Sequence, residues 1–273
     1  MEHKILQRYK ETGTTTGLGK EFNLTTKGIK EVLYRQGVIF KTTNRGNTKH
    51  TKNINFFEVP NNLNSYWAGF IAADGHLSQD NGVILSLSEK DLCHLEIFKK
   101  DTDFSGDIKH YKSFGNFSNI KGSYYCRISL YSRKLCEDLT KNWLITHNKT
   151  RNLQFPTHLD KENLMAYCLG YIDGDGSIPK NKDGRIYNIS ICGHKDFLIQ
   201  MQEFLKKYLQ EQDKDFSKIY TDHSIFKLII HRRIILNKIK SLVIKSFNDL
   251  PLMRRKWDGL LNYEMKIEHH NCI

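Results

Sequence analysis

The sequence lacks a long apolar run, a closely spaced cysteine pair, and enough acidic residues to balance its basic ones. No stretch approaches the roughly 18 apolar residues of a membrane-spanning helix. The charged N-terminal residues predict no secretory signal. None of the six cysteines is spaced as CxxC. We therefore expect neither a membrane span, nor a zinc site, nor a disulfide framework, and reduced thiols fit best.

The excess of basic residues favours a polyanionic partner. Forty-two Lys and Arg against 30 Asp and Glu give a formal net charge of +12, and the pI is about 9.3. Half of this charge lies in residues 1–50, where ten basic residues accompany four glutamates. Such a balance is typical of proteins that bind nucleic acids, although it indicates no fold.

The N-terminal segment has the apolar spacing of a helix-turn-helix, a spacing that other small three-helix units share. Apolar residues from Leu18 to Val32 recur at inward-facing positions, and Gly19 is small enough to let two helices approach. Asn23 suits the turn, and Thr25 can cap the second helix. That helix is expected to present three basic residues to DNA: Lys27, Lys30 and Arg35.

The rest of the chain contains an internal repeat. Residues 65–77 resemble residues 166–178, and aligning Asp74 with Asp175 sets a period of 101 residues. The residues after each motif predict the same order of elements, αββαββα, so we expect an α+β fold built from two duplicated domains. The expected organisation is a helix-turn-helix at 1–46, a basic linker at 47–62, repeats at 63–155 and 156–264, and a tail at 265–273.

The elements themselves are expected at similar places in both copies. Strands are predicted at 83–88, 107–114 and 123–131 in the first copy, and at 185–192, 217–221 and 225–230 in the second. Helices are predicted at 90–100 and 133–144, and at 195–209 and 232–246.

Each repeat opens with an apolar helix that ends in Asp-Gly. If the two helices pair, Asp74 and Asp175 meet, and a divalent cation such as Mg²⁺ or Mn²⁺ would neutralise them. A lone Asp-Gly usually only ends a helix, but its duplication favours a paired site. Small residues four positions apart would allow the close packing: Gly69 and Ala73 in one helix, Gly170 and Gly174 in the other.

The stretches Trp67–Gly75 and Cys168–Gly176 resemble the two motifs of a single-chain, double-motif LAGLIDADG homing endonuclease. The resemblance covers about residues 63–262 as a pattern of elements. It implies a pseudo-twofold pair of αββαββα units whose two antiparallel sheets form a DNA-binding saddle in the major groove. It also implies that Asp74 and Asp175 bind the metal. Ala72 replaces the first acidic residue of the first motif, a change that concerns packing more than catalysis.

The resemblance further implies polar and basic residues around the scissile phosphates. The polar residues at the ends of the second strands are Glu89 and His194, which could order the attacking water. A basic residue after the last helix of each repeat would stabilise the charge at the phosphate. These residues are Lys149 in the first repeat and Arg255 in the second, with Arg254 and Lys256 as alternatives.

Strand side chains that alternate toward the groove would read the bases, and the choice of face depends on strand register. The basic candidates are Lys109, Lys112, Arg127, Arg185, Lys218 and Lys227. Further candidates are Tyr111, Tyr125, Ser129, Tyr187, Asn188, Tyr220 and His223.

Together these features predict a site-specific homing endonuclease. It would make a staggered double-strand break by divalent-metal-dependent phosphodiester hydrolysis. We expect it to act as a monomer on double-stranded DNA with a long asymmetric target, in the cytoplasm, an organelle or a phage-infected cell. Two alternatives stay open: an inactive LAGLIDADG-type transcription regulator, against which the retained aspartates argue, and an intron maturase that binds intron RNA.

Overall fold

The computed structural model describes residues 1–15, 17–36, 38, 50–113, 122–147, 149–180, 186–212, 216–222 and 225–262. The chain forms two compact units, Met1–Gly46 and Asn47–Ile273. Among the described helices, none combines the length and apolar character that crossing a membrane requires.

The N-terminal unit contains three helices, α1 (Glu2–Thr12), α2 (Leu18–Glu21) and α3 (Thr26–Arg35). Asn23 adopts a left-handed conformation with φ of 52° between α2 and α3. A methyl group on Gly19 would lie 2.7 Å from the Leu24 carbonyl oxygen, so this position requires a small residue. Thr25 accepts a hydrogen bond from the Gly28 amide at 3.1 Å and so caps α3. The apolar core consists of Ile5, Leu18, Ile29, Val32 and Leu33.

The second unit contains the predicted element order twice. The first repeat has α4 (Asn62–Asp74), β1 (Gly75–Leu77), β2 (Gly82–Ser88), a short 3₁₀ helix (Glu89–Asp91), α5 (Leu92–Asp101), β3 (Lys109–Ser113), β4 (Ser123–Tyr131) and α6 (Arg133–Trp143), followed by α7 (Lys149–Asn152). The second repeat has α8 (Lys161–Asp175), β5 (Gly176–Ser177), β6 (Ile189–Gly193), α9 (Lys195–Tyr208), β7 (Lys218–Asp222), β8 (Ile225–Ile230) and α10 (Arg233–Ser246), followed by α11 (Arg254–Leu261).

Each repeat forms one four-stranded antiparallel sheet. The strand orders are β1-β2-β4-β3 and β5-β6-β8-β7. Because successive side chains alternate between the faces of a strand, one face of each sheet joins the apolar core and the other is open. Cys126, Ile128 and Leu130 of β4 are buried, as are Leu228 and Ile230 of β8. Alternate residues of each strand thus face the core, and the residues between them lie on the open face of the sheet.

The helices α4 and α8 pack against each other in the interior of this unit. Both are apolar around most of their circumference, as expected of helices buried on all sides. A methyl group on Gly69 would lie 2.0 Å from the Tyr167 carbonyl oxygen, and one on Gly170 would lie 1.9 Å from the Tyr66 carbonyl oxygen. The predicted close approach of the two motif helices through small residues is therefore confirmed.

Candidate active site and nucleic-acid interface

The two motif helices end side by side, each at an aspartate. Asp74 is the last residue of α4, and Asp175 is the last residue of α8. The helix ends are adjacent, since a methyl group on Gly174 would lie 2.3 Å from the Cβ atom of Ala73. Each helix leads directly into the first strand of its sheet, so the carboxylates lie where the two repeats meet.

The environment of this pair disfavours its negative charge. Asp74 is exposed and Asp175 is half-buried, yet the surrounding protein partly desolvates both carboxylates. Desolvation raises the pKa of each carboxyl, and the charge of Asp175 raises the pKa of Asp74 further. Lys149 and Lys256 lower both pKa values by their positive charge. The site is thus an acidic pair beside two ammonium groups.

Each ammonium group lies at the C-terminal end of one motif helix. Lys149 Nζ donates to the carbonyl oxygens of Ala72 at 2.6 Å and Ala73 at 2.5 Å. Lys256 Nζ donates to the carbonyl oxygens of Asp173 at 2.5 Å, Gly174 at 3.0 Å and Gly176 at 2.7 Å. A cation is favourable there because the carbonyl groups of a helix point toward its C-terminus. Burial lowers the pKa of both lysines, whereas the nearby aspartates raise it.

The structure corrects the residue chosen from the sequence for the second repeat. Lys256, rather than Arg255, lies at the position equivalent to Lys149. The Arg255 guanidinium instead pairs with Asp91 through two hydrogen bonds, of which Nη2 to Oδ2 measures 2.9 Å. Because residues 254–256 are all basic, the sequence alone could not show which of them is equivalent to Lys149.

The polar residues Glu89 and His194 do not join the carboxylate pair among the described hydrogen bonds. The Glu89 carboxylate lies 2.8 Å from Nδ1 of His110 and begins the 3₁₀ helix after β2. His194 is the N-cap residue of α9, where its side chain makes no capping hydrogen bond. Their suggested role near the attacking water stays a prediction.

A buried carboxylate that the sequence pattern did not single out lies next to the pair. Asp173 is 1% exposed and accepts hydrogen bonds from the Tyr66 hydroxyl at 2.6 Å, the Met253 amide at 2.9 Å and the Trp257 indole at 2.6 Å. Burial raises the pKa of Asp173 to about 6, despite these three donors. The Tyr66 hydroxyl also lies 3.2 Å from Nε2 of His94, whose burial lowers its pKa to about 4.

The first repeat has no counterpart of this carboxylate. Ala72 stands where the second motif has Asp173, and Tyr167 stands where the first motif has Tyr66. The Tyr167 hydroxyl is fully buried and has no hydrogen-bond partner among the described residues. This difference between the repeats could have been predicted from the sequence, because Ala72 and Asp173 occupy equivalent positions of the two motifs.

The register of the first sheet settles which candidates share its open face. Lys109 is paired with Arg127, and Tyr111 with Tyr125, on the face opposite the core. The two tyrosine rings stack at 5.1 Å, and the Arg127 guanidinium lies 5.3 and 5.7 Å from them. Lys112 points to the other face, with its ammonium 5.4 Å from the Tyr124 ring, so it does not share the open face with Lys109 and Arg127.

The second sheet places its basic candidates together. Lys218, Tyr220 and Lys227 lie on the open face, because Tyr220 is paired with Lys227 and Lys218 with Ile229. Tyr187, before β6, is 56% exposed. The Asn188 amide oxygen is buried with no hydrogen-bond partner among the described residues. Ser129 shares the open face of the first sheet. The candidates Arg185 and His223 lie outside the described residues.

In the N-terminal unit, the candidate basic residues differ in their contacts. Lys27 and Lys30 are exposed on α3. Arg35, at the end of the same helix, pairs with Glu2 of α1 at 3.2 Å.

No protein-family model and no curated protein sequence matches this chain. Its fold is similar to that of a solved homing endonuclease. I-WcaI, a homing endonuclease bound to its DNA recognition sequence, is 13% identical, with a TM-score of 0.52 over 84% of this chain and 100% of that chain. Variants of the homing endonuclease I-DmoI are 16% identical, with a TM-score of 0.44 over 77% of this chain and 100% of theirs. Full-length WhiA from Thermatoga maritima is 16% identical, with a TM-score of 0.41 over 80% of this chain and 67% of that chain. I-DmoI structures have been solved in complex with DNA and calcium, and with target DNA in the presence of manganese or magnesium.

Proposed function

We propose that this chain is a site-specific DNA endonuclease that cuts both strands of a duplex with the help of Mg²⁺ or Mn²⁺. The observation that carries the proposal is the pairing of Asp74 and Asp175 at the ends of two helices whose C-termini hold Lys149 and Lys256. Two equivalent sets of one carboxylate and one ammonium suit two equivalent reactions, one on each antiparallel DNA strand.

The donor chemistry of the pair fits a hard divalent cation. Among the described residues, no group of three or more His, Cys, Asp or Glu side chains could hold a metal ion. Mg²⁺, however, is commonly held by one or two carboxylates together with substrate phosphates and water. Asp74 and Asp175 would supply the carboxylates, and DNA the phosphates. A bound divalent cation lowers the pKa of a water molecule and stabilises negative charge on phosphate oxygens.

The lysines would stabilise charge that develops at the phosphates. Each ammonium is fixed by backbone carbonyl oxygens, so little reorganisation is needed when negative charge appears nearby. Lys149 donates to two carbonyl groups among the described residues, which leaves one N–H for a phosphate oxygen. Lys256 donates to more carbonyl groups and would act chiefly through its charge.

The open faces of the two sheets would bind the duplex. They carry Lys109 and Arg127 in the first repeat, and Lys218 and Lys227 in the second. Alternating side chains on such a surface can contact base edges and phosphates in the major groove, which is wide enough for a two-stranded ribbon. The stacked pair Tyr111–Tyr125 would hold the Arg127 guanidinium in place.

The proposal predicts cleavage that needs a divalent cation. The purified protein would be incubated with Mg²⁺ and a duplex that joins the two flanks of its own gene without the gene, alongside a randomised duplex of equal length. We expect a staggered double-strand break in the first duplex only, and no break when EDTA replaces Mg²⁺. Mapping of both 5′ ends by sequencing gives the stagger.

Two other results of that experiment would reject the proposal. Specific binding of the joined duplex without cleavage, with Mg²⁺ or with Mn²⁺, would favour a DNA-binding regulator. Cleavage of both duplexes at many positions would indicate a nonspecific nuclease.

For the N-terminal unit, we propose a helix-turn-helix that anchors the protein on DNA through α3. Its support is the tight turn at Asn23 and the exposure of Lys27 and Lys30. The double variant Lys27→Ala/Lys30→Ala should bind duplex DNA more weakly. The steepness of log K against log salt concentration should fall by about 0.9 for each phosphate that the variant no longer neutralises.

The matched control for that prediction removes two charges from α1. Lys4 and Lys10 are exposed on that helix, and Lys4→Ala/Lys10→Ala should change the salt dependence little. Equally weakened binding by the two double variants, measured by fluorescence anisotropy, would mean that α3 has no special role.

A further inference from the structure

The two lysines of the site are held in place by different means. Lys149 begins the short helix α7, and its carbonyl partners belong to a helix end that carries Ala72 rather than an acidic residue. Lys256 lies in the first turn of α11, which is fastened to α8 by the Asp173 carboxylate. Only the second half of the site therefore has a buried acidic anchor within the described residues.

The contacts of Asp173 bracket Lys256 in the sequence. The carboxylate accepts the Met253 amide at 2.9 Å and the Trp257 indole at 2.6 Å, that is, one donor on each side of the lysine. Trp257 is fully buried, so its ring cannot shift without opening the core. With both ends of this turn held, Lys256 Nζ reaches the carbonyl groups of Asp173, Gly174 and Gly176.

We propose that Asp173 is a positioning residue that holds Lys256 at the end of α8 and thereby serves only the half of the site to which Lys256 belongs. The proposal rests on the endonuclease function proposed above and adds an asymmetry to it. Loss of the anchor should impair cleavage of one DNA strand, while the half of the site that Lys149 serves continues to work.

Asparagine is the substitution that tests this role with the smallest change in shape. The Asp173 carboxylate accepts from three donors, with Trp257 at one oxygen and Tyr66 and Met253 at the other. An amide has only one oxygen, so in either orientation its NH₂ group would face an N–H donor, from Met253 or from Trp257. Asp173→Asn must therefore break at least one of the two bonds that bracket Lys256.

The experiment follows each strand of the cleaved duplex with a different label. Asp173→Asn should slow cleavage of one strand roughly 10- to 100-fold, as loss of a supporting residue around an active site commonly does, and leave the other strand unchanged. Nicked duplex should accumulate. The slowed strand should be the one that Lys256→Met also slows, whereas Lys149→Met should slow the opposite strand.

A second measurement needs no DNA cleavage. In hydrogen exchange followed by mass spectrometry, the peptide that spans Met253 and Trp257 should exchange roughly tenfold faster in Asp173→Asn, because at least one of its two bonds to residue 173 is lost. Peptides around Lys149 should exchange as in the unmodified protein. If no duplex is cut by the unmodified protein, the endonuclease function fails, and hydrogen exchange alone decides whether Asp173 holds α11.

Two tyrosine variants provide matched controls. Tyr66→Phe removes one donor to Asp173 and should give a weaker form of the same strand bias. Tyr167→Phe removes a hydroxyl without a partner among the described residues and should leave both strands unaffected. Equal slowing of both strands by Asp173→Asn would overturn the proposal. Unchanged exchange of the peptide that spans Met253 and Trp257 would overturn it as well, and would mean that other contacts of α11, such as the Arg255–Asp91 pair, hold this helix.

Discussion

Replacing Gly69 or Gly170 with alanine is expected to cost the second unit more than about 3 kcal/mol of folding free energy, at the upper end of the range for overpacked cores. The added methyl group would lie 2.0 Å from the Tyr167 carbonyl oxygen in one case and 1.9 Å from the Tyr66 carbonyl oxygen in the other. Both clashes are with backbone, so no side chain can rotate away. The two helices would have to separate along the whole interface.

The measurement is thermal unfolding by calorimetry or circular dichroism. For a unit of this size, a loss of about 3 kcal/mol corresponds to a melting temperature lower by roughly 6–12 °C. Gly259→Ala is the matched control, also a glycine inside a helix of the same unit. The three atoms nearest to its methyl group would all belong to the flexible side chain of Lys180. The higher helix propensity of alanine should add up to about 1 kcal/mol of stability at this position. Equal effects of Gly69→Ala and Gly259→Ala would contradict the close packing of α4 and α8.

The order of helices and strands was predictable because it depends on the local spacing of apolar residues and because that pattern occurs twice in the chain. The 101-residue repeat located both motif helices, and alternating residues located β4 and β8 at the observed bounds. The strands β1 and β5 were not located, because three and two residues are too few to show a period. The order αββαββα is therefore a property of the sequence, whereas its shortest strands depend on tertiary pairing.

The candidate site was predictable only in part, and the reason is geometric. The close approach of the motif helices followed from small residues four apart. The choice between Arg255 and Lys256 could not be made from the sequence. Adjacent residues of a helix point about 100° apart, and no local rule says which of the two side chains points to the C-terminal end of α8. Trp257 and Met253 settle it by binding Asp173. Such a contact between residues 80 or more apart leaves no local pattern in the chain.

Strand register likewise limited how far the candidate nucleic-acid interface could be predicted from the sequence. Lys109 and Lys112 look alike in the sequence, but pairing of β3 with β4 puts Lys109 on the open face beside Arg127 and Lys112 on the opposite one. A shift of one residue would exchange them. The composition of the strands thus predicted a basic surface, but the residues that form it could be identified only from the strand pairing in the sheet.

The carboxylate pair should be costly to stability and necessary for activity. Desolvation raises the pKa of Asp74 and Asp175, and the charge of Asp175 raises that of Asp74 further, which means that the folded protein disfavours their ionised forms. Asparagine has nearly the same shape and no charge. We therefore expect Asp74→Asn and Asp175→Asn to leave the melting temperature in the absence of metal equal to or above that of the unmodified protein.

Each of the same two variants should lose the double-strand break completely, down to the level seen with EDTA. An amide binds a hard divalent cation less well than a carboxylate, so the affinity for Mg²⁺ should fall as well. On one preparation of each variant, isothermal titration with Mg²⁺ in the presence of duplex measures the metal affinity, unfolding curves measure the stability, and the cleavage assay measures the activity. A variant that unfolds earlier and cuts less would show only that the aspartate supports the fold. Abolished cleavage with retained or raised stability, by contrast, is the signature of a residue kept for chemistry at the expense of folding.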